Sequence, residues 1–144
     1  MKPFAFSLEK VLNLRKHYED EAKIELGRAI GVLAELEGNI HALAIERTQA
    51  AAAQFAPGNG ADEMQRYMFY IIRLDNTREQ ILKEAALAEI KVEEAREAFL
   101  EASRERKVLD KVKEKRQKEY RKFILDEETK VLDDISTVAI GVSA

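Results

Sequence analysis

The chain has 144 residues, of which 35 % are charged and 46 % hydrophobic, and only 7 % are aromatic. Its net charge of −3 excludes a general electrostatic attraction to nucleic acid, and the lack of cysteine excludes disulfides and thiolate metal sites. Ala, Glu, Lys, Leu and Arg dominate, the profile of long helices that bury a thin seam and build no thick core. The opening, Met1 to Lys10, has no signal-peptide core, and no run of about 18 apolar residues is present to span a membrane.

Ser7 is the expected N-cap of a first helix, with Glu9 in its first turn to complement the helix dipole. The expected seam runs Leu8, Val11, Arg15, Tyr18, Ala22, Leu26, Ala29, Leu33, Leu36, Ile40 and Leu43. Two consecutive steps of four near Ala22 and Leu26 predict a stutter that locally unwinds a supercoil. The outer face of this helix, about 130° from the seam, carries Gly27, Gly31, Ala34, Gly38 and Ala42. Glycine inside a helix costs about 1 kcal/mol relative to alanine. The stripe is therefore either a place of close approach for a partner helix or tolerated sequence drift.

The first helix is expected to end near Phe55. Ala56-Pro57-Gly58-Asn59-Gly60 is the one strong breaker, giving a turn over 56–61. Asp62 and Gln65 then offer a capping box for a second helix, expected over about 62–138. Its heptad stripe runs Met64, Tyr67, Ile71, Leu74, Arg78, Ile81, Ala85, Ala88, Val92, Ala95, Phe99, Ala102, Arg106 and Leu109. No glycine or proline interrupts it from Ala61 to Ile140. The expected architecture is all-α: one domain over 1–144, a two-helix antiparallel coiled-coil hairpin with an overhanging C-terminal helix. Counting outward from the turn puts Leu8 near Leu109 and lets Phe4 and Phe6 cover Val112. The helix from Lys113 onward is then left without an intrachain partner.

That overhang still carries Tyr120, Phe123, Ile124, Val131, Ile135 and Val138. Between Arg104 and Lys122 there are ten Lys/Arg against four Asp/Glu. The segment reads either as a solvated helix or as a basic rod that enters an acidic partner. Near the turn, Tyr67-Met68-Phe69-Tyr70-Ile71-Ile72 is a continuous apolar run that wraps the helix, so Phe69, Tyr70 and Ile72 are expected to face outward. No catalytic, cofactor or metal residue is assigned. His17 and His41 lack ligand spacing, and Gly58-Asn59-Gly60 lacks the Lys and Ser/Thr of a phosphate loop.

The opening Phe4-Ala5-Phe6-Ser7-Leu8-Glu9-Lys10-Val11-Leu12-Asn13-Leu14-Arg15, followed by Glu19-Asp20-Glu21-Ala22, resembles the start of the FliJ proteins. These are stalk components of the flagellar type III export ATPase. The resemblance extends through Tyr67, Ile71 and Leu74 to Glu127-Glu128 and Leu132-Asp133-Asp134. It implies a cytoplasmic coiled coil, not an enzyme, that works at the inner-membrane export apparatus. The end with both termini would enter a hexameric FliI-like ATPase, and the hairpin tip would meet an FlhA-like export gate. Export chaperones are further possible partners.

Carried onto this sequence, the gate surface falls on Tyr70, Leu74, Thr77 and Ile81 of the second helix, and on Gly38, Ala42, Ile45 and Gln49 of the first. The ATPase-binding end is expected at Lys113, Arg116, Tyr120, Phe123, Val131 and Ile135. Two alternatives remain open at this point. One is an injectisome stalk of the YscO group or a chaperone escort. The other is a homodimeric or nucleic-acid-associated coiled coil outside export.

Overall fold

The computed structural model describes residues 2–143. Two helices account for nearly all of them: α1, Glu9–Gln54, and α2, Ala61–Ser143. They pack against each other as an all-α hairpin, with no strand among the described residues. The chain divides into two compact units, one of residues 20–100 and one of residues 2–19 with 101–143.

In the unit of residues 20–100 the turn closes a two-helix hairpin. Gly58 takes φ 93°, a left-handed conformation that only glycine adopts without strain. The Asn59 side-chain amide donates to the carbonyls of Ala53 and Gln54 at 2.7 and 3.2 Å, satisfying acceptors that the end of α1 leaves open. Gln54 Nε2 donates across to the Met64 carbonyl at 3.3 Å. The second helix starts at Ala61, so Asp62 lies within the first turn and not ahead of it. The carbonyl of Gly60 accepts the first helical hydrogen bond, from Met64 N–H. Asp62 thus acts through its charge near the positive helix end, and the capping position falls to Gly60.

Ala50, Leu74, Ala85, Ala88 and Val92 are the buried apolar residues of this unit. Most are small, which suits a seam between only two helices. Arg78, expected in the seam, is exposed. A guanidinium is strongly solvated, and its long stem lets it reach water.

In the other unit the helix begins at Glu9, so the capping position falls on Leu8, one residue later than the expected Ser7. Glu9 N–H bonds the Phe6 carbonyl at 3.1 Å, and Leu12 N–H bonds that of Leu8 at 2.9 Å. Ser7 Oγ accepts a hydrogen bond from Arg116 at 2.7 Å. The seam is also one position off the expected one. Leu12, not Val11, is fully buried at 0 % exposure, and Glu19, not Tyr18, faces α2. With those two in place the seam of α1 alternates steps of four and three from Leu8 through Leu43. The predicted stutter therefore disappears.

Charged groups complete the seam. Arg106 donates to Glu19 and to Asp110, each at 2.5 Å, with its own side chain only 24 % exposed. Arg15 pairs with Glu105, and Lys113 with Glu9 at 2.9 Å.

The pairing in this unit is displaced from simple counting by about one helical turn. Glu9 meets Lys113, Phe6 lies under the Arg116 guanidinium, and Phe4 stacks at a tilt on Tyr120. Counting outward from the turn had placed Phe4 and Phe6 over Val112. Residues 2–6 are not helical, and extended chain covers about 3.3 Å per residue against 1.5 Å in a helix. The displacement is already present within α1, at Glu9–Lys113, and the extended residues 2–6 carry the pairing on to Tyr120. As a result α2 is partnered through Tyr120, and the unpartnered stretch begins later than Lys113. From Glu128 to Gly141 every residue is exposed.

Candidate functional site

Two surfaces carry the residues singled out from the sequence, one in each unit. In the hairpin unit, Gly38, Ala42, Ile45 and Gln49 are exposed on α1, and Tyr70 and Thr77 are exposed on α2. Each set follows steps of four, three and four, which keeps it on one helix face. Ile81 is half-buried, and Leu74 is 7 % exposed in the seam. Leu74 can therefore shape this surface only by supporting it.

The Tyr70 hydroxyl donates to Glu46 on α1 at 3.2 Å. Partial desolvation first, then the neighbouring Glu46 carboxylate, push the Tyr70 phenol above its ordinary pKa. One helix turn away, Arg47 donates two hydrogen bonds to Asp75 at 2.7 and 3.4 Å, and hydrogen bonding to that carboxylate is the main cause of its raised pKa. These two pairs tie α1 to α2 beside the apolar patch and fix the phenol ring on the surface.

Phe69, Tyr70 and Ile72 do face outward, and Met68 joins them. Phe55, not foreseen as an outward residue, is 72 % exposed. Its signal was its place one residue beyond the end of α1, where no seam position remains to receive it.

In the other unit the six expected residues separate into two groups. Lys113, Arg116 and Tyr120 bind the N-terminal segment. Lys113 pairs with Glu9, Arg116 holds Ser7 and covers the Phe6 ring at 5.5 Å, and the Tyr120 hydroxyl donates to the Lys2 carbonyl. Phe123, Val131 and Ile135 are exposed. Just beyond Tyr120 lies an open, mainly apolar groove of about 770 Å³, lined by Lys2, Tyr120, Phe123, Ile124, Val131 and Leu132 together with Glu127 and Glu128. Leu132 is an apolar member that the sequence reading passed over, because it lies off the heptad seam.

Among the described residues no three His, Asp or Glu side chains gather as a metal site requires. Two long helices with a thin seam, open grooves and an outward aromatic cluster define an all-α hairpin. Within that class the chain belongs to the flagellar FliJ protein family, whose profile matches residues 4–143. No curated protein and no solved structure matches the chain significantly. Membership gives it a role connected with flagellar export. Among the described residues no helix is long and apolar enough to cross a membrane.

Proposed function

We propose that this chain is the central stalk of the flagellar type III export ATPase complex. In this reading it binds a FliI-like ATPase hexamer through the unit that holds both termini and an FlhA-like export gate through the hairpin tip. The observation that carries the reading is the family match across nearly the whole chain. The outward Tyr70, braced by Glu46 beside an exposed apolar patch, supports the gate assignment. The apolar groove from Tyr120 to Leu132 supports the ATPase assignment, because burial of each large apolar side chain there would stabilise a complex by about 1.5–3 kcal/mol. The chain catalyses nothing itself. It promotes ring assembly and links ATP turnover to the gate at the cytoplasmic side of the inner membrane.

The test is twofold. Tyr70→Ala is expected to weaken binding to the gate's cytoplasmic domain while leaving helicity unchanged; unaltered affinity removes the tip assignment. A chain ending at Glu127 is expected to lose stimulation of ATP hydrolysis by the cognate ATPase. Full stimulation by that shortened chain removes the insertion reading. Export chaperones would be a further class of partner in the same complex.

A further inference from the structure

In the unit that holds both termini, the seam face of α2 runs on beyond Tyr120. At 3.6 residues per turn, Tyr120, Ile124, Val131, Ile135 and Val138 fall within about 40° of one line along the helix. Val131, Ile135 and Val138 are each more than half exposed, as is Leu132 beside them. The charge on this face changes sign along its length. Up to Tyr120 it carries Lys113 and Arg116, and both are answered by the N-terminal segment: Lys113 by Glu9 at 2.9 Å, Arg116 by the Phe6 ring and the Ser7 hydroxyl. Beyond Phe123 the strip is flanked by Glu127 and Asp134 on one side and Glu128 on the other, all within about 60° of its line. The one basic residue from Phe123 to Gly141 is Lys130, which lies farther round the helix and pairs with Glu127 at 3.6 Å.

The covered half of the strip shows what fits it. Its occupant supplies aromatic rings, Phe4 on Tyr120 and Phe6 beneath Arg116, and a charge opposite to the face's own, Glu9. The open half, by the same complementarity, calls for apolar side chains flanked by lysine or arginine. The chain itself already brings one cation there, since Lys2 lines the groove of about 770 Å³ together with Glu127 and Glu128. A second copy of the open half does not meet the need. Paired antiparallel about Val131, two such halves set Glu128 against Asp134 twice and offer no cation on the face.

We propose that the strip from Phe123 to Val138 docks a protein surface whose apolar ridge is flanked by lysine or arginine. This names the chemistry of the partner at the ATPase-binding end, and it rests on that reading only for which protein presents the ridge. It also reverses the charge expected from the sequence. Lys113 and Arg116, two of the cations that suggested an acidic partner, are engaged by the N-terminal segment, and the open strip beyond them is acidic. The apolar side chains supply most of the stabilisation on burial, and the carboxylates select the partner and its register.

Two probes test it, each on the full chain, with circular dichroism to check that every variant stays helical. Binding to the cognate ATPase is expected to weaken about tenfold between about 50 and about 500 mM salt. The triple variant Glu127→Gln, Glu128→Gln, Asp134→Asn is expected to bind about tenfold weaker at the lower salt and to lose most of the salt dependence. Glu127→Lys, Glu128→Lys, Asp134→Lys is expected to bind weaker still. The second probe needs no ATPase: a synthetic amphipathic helix of leucine and lysine is expected to bind the full chain, about tenfold more weakly to the neutral triple variant, and its leucine–glutamate counterpart not at all. A neutral triple variant that binds the ATPase as tightly as wild type at both salts overturns the proposal. So does equal binding of the two synthetic helices, or self-association of the chain that the triple lysine variant removes, which would put a second copy on the strip. If wild type fails to bind the ATPase while the leucine–lysine helix behaves as expected, the docking chemistry stands and the ATPase reading falls.

Discussion

Gly58 and Gly31 are the same residue under opposite constraints. Gly58 sits at φ 93°, where a Cβ strains the backbone, so Gly58→Ala is expected to destabilise the hairpin by about 1 kcal/mol. Gly31 is helical with open space around it, so Gly31→Ala is expected to stabilise the chain by about 0.4–1 kcal/mol. Thermal melts should show the two shifts with opposite signs. Tyr70 offers a test in pH. Its raised pKa means that the folded chain holds the phenol proton more tightly than the unfolded one. That contribution is fully present below the ordinary tyrosine pKa of about 10 and is lost as pH rises through the folded value. In an ultraviolet titration, Tyr70→Phe is expected to remove a phenol that ionises above the ordinary tyrosine range. It should also flatten the loss of stability above about pH 10.

Within α1, one residue decides how the seam is phased. Leu12 is fully buried and Val11 is exposed, although both are aliphatic and one position apart. Leu12→Ala is expected to cost about 2–5 kcal/mol, and Val11→Ala less than about 0.5 kcal/mol. Urea unfolding midpoints would separate them, and equal costs would restore the seam that places Val11 inward. The ionic layer of α2 follows from the same phase. Glu19 looks unsuited to a seam until Arg106 is placed opposite it, with Asp110 taking the other side of the guanidinium. The hydrogen bond that Arg106 donates to Glu19 first, and the one it donates to Asp110 second, hold its pKa above the ordinary value. Arg106→Ala leaves both carboxylates beside each other without a cation, at an expected cost of about 1–3 kcal/mol. A double-mutant cycle with Glu19→Ala should return part of that loss, since the pair is directly coupled.

At the scale of the whole chain, the N-terminal segment determines where α2 stops being partnered. Lys2, Phe4, Phe6 and Ser7 are held by Tyr120 and Arg116, so these belong to the fold as well as to any binding surface. A chain ending at Lys113 is expected to release that segment, and one ending at Glu127 is expected to keep it. Hydrogen exchange over residues 2–19 reads the difference, with faster exchange only in the shorter chain. Equal protection in both would mean that the extended segment is secured by α1 alone.

The helical class, the single turn and the seam of α2 are legible in the sequence because they rest on local chemistry. An unbroken heptad period, a lone Pro-Gly turn and good helix formers each act over a few residues. The outward run at Phe69, Tyr70 and Ile72 is legible for the same reason, since six consecutive apolar residues exceed what one seam can bury. The phase of α1 near its start is not legible. Val11 and Leu12 both satisfy a heptad, and only the opposing Arg106, almost 90 positions away, makes Glu19 the better neighbour. Nor is the start of the unpartnered stretch. It depends on residues 2–6 staying extended and reaching Tyr120, a rise per residue that is fixed by packing against α2 and not by their own helix propensity.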